Sequence, residues 1–104
     1  MPKYLLAYKG GAMPESPEEQ QRVMAAWTSW FGSAGQAVVD PGNPFSASTS
    51  VASDGSVSDG GAAQLTGYSV LEAGDLTSAT ELAKGCPILE TGGTVEVYET
   101  FEAM

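Results

Sequence analysis

The sequence predicts an α+β fold in which two helices alternate with strands. Short apolar runs rich in β-formers open and close the chain. Two helical segments between them carry marked caps. Gly- and Pro-rich breaks separate every one of these elements. The 104 residues, 42% of them hydrophobic, suit one domain spanning 1–104 with a single core.

Lys3 to Lys9 (KYLLAYK) is an apolar and aromatic run between charges and reads as a strand. It stops at Gly10-Gly11, and Met13-Pro14-Glu15 follows as loop. Ser16-Pro17-Glu18-Glu19 is a capping box, with Ser at the N-cap, Pro at the first helical position and Glu three residues on. Its acidic first turn suits the positive end of the helix dipole. Val23, Trp27, Trp30, Phe31 and Ala34 then recur along one helical stripe, and Gly35 ends it. Trp27 and Trp30 read as core anchors between this helix and the sheet, with one of them able to edge a pocket. Ala37 to Asp40 is a short second strand, ended by Pro41-Gly42-Asn43-Pro44.

From about 46 to 63 the chain is small and polar. Ser50-Val51-Ala52 and Ser56-Val57-Ser58 flank Asp54-Gly55, the favoured pair for a type I′ turn, so a small surface hairpin is expected rather than a linker. Leu65 to Glu72 (LTGYSVLE) is strand-like. Asp75 is placed to cap a second helix through Lys84, ended by Gly85 and Pro87. Thr94 to Phe101 (TVEVYETF) is the last strand.

This order is the ferredoxin-like βαββαβ motif, an antiparallel sheet with both helices on one face. Two helices cover one face, so the other needs solvent or a partner. Strand parity puts Leu5, Ala7, Leu65, Leu71, Val95 and Val97 under the helices. The opposite parity carries Tyr4, Leu6, Tyr8, Tyr68, Val70, Glu96 and Tyr98, a face expected to pack against a second copy.

Composition narrows the chemistry. Thirteen carboxylates against four cations (Lys3, Lys9, Arg22, Lys84) give a net charge of −9, which disfavours nucleic acid, anionic membranes and anionic ligands. The absence of His removes the commonest general base and metal ligand. No metal site and no cofactor are expected. One Cys points to a reducing, cytoplasmic setting. The apolar run from Tyr4 to Tyr8 is too short for a signal peptide or a membrane span.

YLLAYKGG, SPEEQQRVMAAW, VVDPGNPF and ELAKGCPILETGGTVEVYE together resemble the YCII-related proteins, and among them the DGPF-domain subgroup, over essentially the whole chain. The resemblance implies a dimeric α/β barrel, a homodimer packed through its sheets. Some members carry a His on the first helix and an Asp before a Pro after the second, a proposed catalytic pair. The best-characterised activity of that type is a dehydrochlorinase acting on a chlorinated hydroxyquinol. Here Met24 falls near the His position and Cys86 precedes Pro87, so that pair is missing and the dehydrochlorinase reading is not supported. The DGPF signature survives as Asp59-Gly60, followed by Gly61-Ala62. Relatives of this type are frequently encoded beside extracytoplasmic-function sigma factors, which implies a bacterial regulatory setting.

The remaining acid/base groups are carboxylates. Glu96, on the Tyr-rich strand face, is either a proton-transfer group hydrogen-bonded by Tyr68 or Tyr98, or an interface carboxylate satisfied by tyrosines. Asp59 sits in a Gly-rich loop with room for a ligand, or serves turn chemistry. Glu96, Asp59 and Tyr68 are the catalytic candidates, and Tyr8, Tyr68, Glu96 and Tyr98 the expected ligand-binding set. Asp40 reads as a strand-end turn residue and Cys86, at the wrong helix end for activation, as an inert thiol. Gly10-Gly11, Gly60-Gly61 and Gly92-Gly93 lack the strand–loop–helix spacing of a phosphate cradle. Three functions fit: a homodimer binding a small polar organic molecule, an accessory module acting with a protein such as a sigma factor, and a structural dimer with a vestigial pocket.

Overall fold

In the computed structural model, which describes residues 1–11, 14–61 and 64–103, the elements run β1 (Lys3–Lys9), α1 (Pro17–Ala34), β2 (Val38–Asp40), β3 (Thr49–Val51), β4 (Val57–Asp59), β5 (Leu65–Glu72), α2 (Leu76–Ala83) and β6 (Thr94–Glu99). Short 3-10 helices at Gly35–Ala37 and Pro87–Thr91 follow the two α-helices. Met13, Ala62 and Ala63, which belong to the expected loops, lie outside the described residues.

The molecule is α+β, with a four-stranded antiparallel sheet ordered β2–β5–β1–β6 and a separate two-stranded sheet of β3 and β4. The order is compatible with a ferredoxin-like arrangement. Among the described residues, no helix is long and apolar enough to cross a membrane.

Helix α1 starts where the capping box places it. Ser16 Oγ accepts from the Glu19 N–H at 3.1 Å, with Pro17 in the first turn. Glu19 reaches back one residue further than the box requires, accepting from the Glu15 N–H at 2.9 Å. Asp75 caps α2 by accepting from the Ser78 N–H at 2.8 Å. These contacts satisfy amide donors that helix starts otherwise leave bare.

Trp30 is buried on α1, with Trp27 and Phe31 packed beside it, and Ala79, Leu82 and Ala83 meet the same core from α2. The Trp30 indole N–H donates to the Leu82 carbonyl at 3.0 Å and ties the two helices together. The tryptophans therefore occupy the core positions that the helical stripe predicts.

The parity expected for β1 is reversed. Tyr4, Leu6 and Tyr8 are buried beneath the helices. The register sets them opposite Leu71, Ser69 and Gly67 on one side and Glu99, Val97 and Val95 on the other. Leu5 and Ala7 belong to the open face, together with Lys3 and Lys9 at the strand's ends. Leu65 also changes face. The register slips between Tyr8 and Lys9, so that Gly67 opposes Tyr8 while Leu65 opposes Lys9, and the extra residue flips everything before it. Leu71, Val95 and Val97 lie under the helices as expected, and Tyr68, Val70, Glu96 and Tyr98 on the open face.

The hairpin exists with a different turn. Its strands pair Thr49 with Asp59, Ser50 with Ser58 and Val51 with Val57. The Gly55 N–H donates to the Ala52 carbonyl and the Ala52 N–H to the Ser56 carbonyl, leaving a three-residue loop closed by Gly55 at φ 89°. That is a type I turn followed by a left-handed glycine rather than the two-residue I′ turn.

Candidate functional site

Alternation along three strands builds the open face. From β6 come Thr94, Glu96 and Tyr98, whose neighbours Val95 and Val97 turn inward. β5 contributes Tyr68 and Val70, interleaved with buried Gly67, Ser69 and Leu71. Central β1 supplies Leu5 and Ala7. Ala7 is the direct partner of Tyr68 on one side and of Glu96 on the other. The three form a row across the sheet, with the outer backbones about 10 Å apart at ordinary strand spacing. The Ala7 methyl between the phenol and the carboxylate is itself covered, only 4% exposed. The next row is Val70, Leu5 and Tyr98.

Two aromatic contacts fix the ends of that row. The Tyr98 hydroxyl donates to Glu96 Oε2 at 2.6 Å, and that bond together with the carboxylate's charge pushes the Tyr98 phenol above its ordinary pKa. Of the two tyrosines expected near Glu96, Tyr98 makes the contact; Tyr68 stands a strand further away. Instead, Tyr68 stacks on Phe45, with ring centroids 5.8 Å apart and planes 16° apart. Phe45 is held there by the Pro44–Gly67 bridge and by its own N–H donating to the Thr66 carbonyl at 2.9 Å.

Tyr8 does not join this group. It lies on the helix side, where its hydroxyl donates to Ser69 Oγ at 2.7 Å and Ser69 in turn donates to the Pro41 carbonyl at 2.6 Å. Its ring meets Trp27 edge-on at 5.1 Å. Burial, the largest cause, pushes its phenol well up. Cys86 is buried in the same core, and desolvation raises its thiol against the smaller opposing pulls of Ile88 and Tyr8. A neutral, enclosed thiol is poorly disposed to attack.

Asp59 sits on β4, in the separate sheet, opposite Thr49. It is not brought together with Tyr68 and Glu96 by any strand pairing. The Asp40 carboxylate accepts from the Gly42 N–H at 2.9 Å, the turn role the sequence suggests. Met24 is exposed on α1, whereas Cys86 is buried.

Two clefts lie elsewhere on the surface. One of about 530 Å³ runs along Glu72, Gly74, Ser78 and Glu81, and one of about 390 Å³ lies at the hairpin root, between Phe45, Ser48, Gln64 and Leu65. Glu96 borders neither. Among the described residues, no group of three or more thiol or carboxylate ligands is gathered for a metal.

The chain matches no protein-family model, and no curated protein is significantly similar to it. Leu5, Ala7, Leu65 and Phe45 are the open-face residues that sequence reasoning missed. Ala7 becomes visible only once its two cross-strand partners are known. Phe45 lies in a Pro-flanked loop that shows no strand pattern.

Proposed function

We propose that this chain is a YCII-related protein of the DGPF type, lacking the His–Asp pair. In this reading it acts as a cytoplasmic homodimer joined through its open sheet face, in the manner of a dimeric α/β barrel, and binds a small polar organic molecule. The observation that carries the reading is the Tyr68–Ala7–Glu96 row, beside the Val70–Leu5–Tyr98 row, at the middle of the open face. Leu5, Val70, Tyr68 and Tyr98 share this face, apolar and aromatic side chains of the kind that protein partners cover. A second copy packed over it encloses the space between the Tyr68 and Glu96 side chains, and that enclosure makes the site. The acidity of the chain selects an uncharged or cationic ligand. In that enclosed space, the Glu96 carboxylate accepts a hydrogen bond or a proton from the ligand, while the Tyr98 hydroxyl holds it in place.

The test is a fragment screen against the parent protein and Glu96→Gln, with sedimentation of both. Gln keeps the shape and removes the charge, so cationic and donor-rich hits should bind the variant at least about tenfold more weakly while the dimer persists. Equal binding to both proteins overturns Glu96 as the ligand contact. If nothing binds either protein, the accessory-module reading takes its place.

A further inference from the structure

The cleft at the hairpin root pairs an apolar side with a polar one. Its volume of about 390 Å³ falls within the roughly 300–1,000 Å³ that small-molecule sites occupy. Phe45 and Leu65 supply the apolar side, and Ser46, Ser48, Ser50 and Gln64 the polar one. The Phe45 ring is held from behind. Tyr68 stacks on it with the two planes 16° apart, and the Phe45 N–H donates to the Thr66 carbonyl at 2.9 Å. Even so, Phe45 stays 47% exposed. A fixed aromatic ring left partly bare inside a cleft is a platform on which a flat group can rest.

The polar side is equally defined. Gly60 packs so closely on Ser48 that a Cβ there would run into the Ser48 side chain and backbone. The missing Cβ lets the chain leaving β4 meet the chain entering β3, and it fixes Ser48 in the wall. Across the cleft, Gln64 has φ 58°, and among the described residues no other non-glycine has a positive φ. Its N–H donates to the Gly61 carbonyl at 2.9 Å and closes a turn. Glycine would suit that left-handed backbone better, and the turn itself uses no side chain. Strain kept at the edge of a cleft points to the group that the strained residue carries, here a primary amide.

The lining also selects the ligand. The chain has 17 charged residues, thirteen acidic and four basic, yet among the described residues none lines this cleft. A charged ligand would lose water there and gain no partner. Hydroxyl and amide groups both donate and accept, which matches the neighbouring hydroxyls of a sugar. The C–H face of a sugar ring suits the electron-rich face of an aromatic one. We propose that the hairpin-root cleft binds an uncharged pyranose sugar, its ring resting on Phe45 and its hydroxyls bonded to Ser48 and Gln64. Every group involved comes from one chain, and Glu96 takes no part.

The experiment is an NMR titration of the full chain with the methyl glycosides of glucose, galactose, mannose and N-acetylglucosamine. Glucuronate and benzamide serve as the charged and the flat aromatic comparisons. At least one glycoside should shift the Phe45, Ser48 and Gln64 amides, with a dissociation constant of about 1–10 mM. Glucuronate should bind at least about fivefold more weakly. Gln64→Gly keeps the left-handed turn and removes the amide, so its thermal melt should stay close to the parent's while glycoside binding weakens at least about fivefold. Ser48→Ala, at an exposed position, should show the same loss. The sugar site is overturned if no glycoside shifts these amides, or if both variants bind as the parent does. It is also overturned if glucuronate binds as tightly as the glycosides, or if benzamide alone binds.

Discussion

Trp30 is where one side chain does several structural jobs. It fills the space between α1 and the sheet, packs against Trp27 and Phe31, and donates its N–H to Leu82 on α2. Trp30→Ala should lower stability by about 3–5 kcal/mol, read as a urea midpoint shift. Trp30→Phe should cost much less. The Leu82 carbonyl keeps a partner in the Gly85 N–H at 3.2 Å, so no buried acceptor is orphaned. A midpoint unmoved by Trp30→Ala would mean the helix packs through another stripe. This residue was legible in the sequence because helical spacing alone determines which side chains share a stripe. Glu96 was legible as a strand-face carboxylate for a similar reason, and Tyr98, two residues along the same strand, shares its face by alternation alone. Setting Tyr68 aside takes the register, which no single strand contains.

At the scale of elements, caps and strand positions followed from local chemistry, whereas the facing of β1 did not. Both parities of KYLLAYK are apolar in the middle, so aromatic character was a poor guide to the open side. The ends held the better signal: Lys3 and Lys9 share parity with Leu5 and Ala7, and a sheet's buried face rarely ends in lysine at both limits. Leu65 was unreadable for a different reason, since an extra residue in β5 breaks the alternation. Two glycines test the local accounts. Gly42 holds φ 75° in the turn after β2, and a Cβ there runs into the Tyr68 carbonyl. Gly42→Ala should therefore cost at least about 2 kcal/mol, combining backbone strain with displacement of β5. Gly32, inside α1 with open space around its Cα, should behave oppositely. Gly32→Ala should raise stability by about 0.5–1 kcal/mol. Thermal and urea melts of the two variants should move in opposite directions.

The whole molecule is a slab 44 × 38 × 18 Å across, a four-stranded sheet covered by one layer of helices with the two-stranded hairpin apart from it. Its core includes two phenols, and that ties global stability to pH. Burial, reinforced by the hydrogen bond that Tyr4 donates to Glu99 at 2.8 Å, pushes Tyr4 up to about 12 from an ordinary 10. Tyr8 is raised in the same direction, chiefly by burial. Folded-state values above the unfolded ones stabilise the protein fully below about pH 10, where both states keep the proton. As pH climbs past about 10, the unfolded chain ionises first and that stability drains away. The urea midpoint should hold on the neutral side and fall between about pH 10 and 12, with phenolate absorbance rising as the chain unfolds. A midpoint flat through that window would place both phenols in water.

Cys86 turns the enclosure of this core into a clock. The chain's one thiol is 1% exposed and packed where Tyr8 and the C-terminal end of α2 meet. A bulky thiol reagent can reach it only when that junction parts, so alkylation counts openings rather than surface encounters. When reclosing outpaces the reagent, the labelling rate divided by that of an unfolded thiol gives the free energy of the opening, without denaturant and at any protein concentration. The same residue that carries no chemistry of its own thereby records, in a crowded or ligand-filled solution, how often the molecule comes apart.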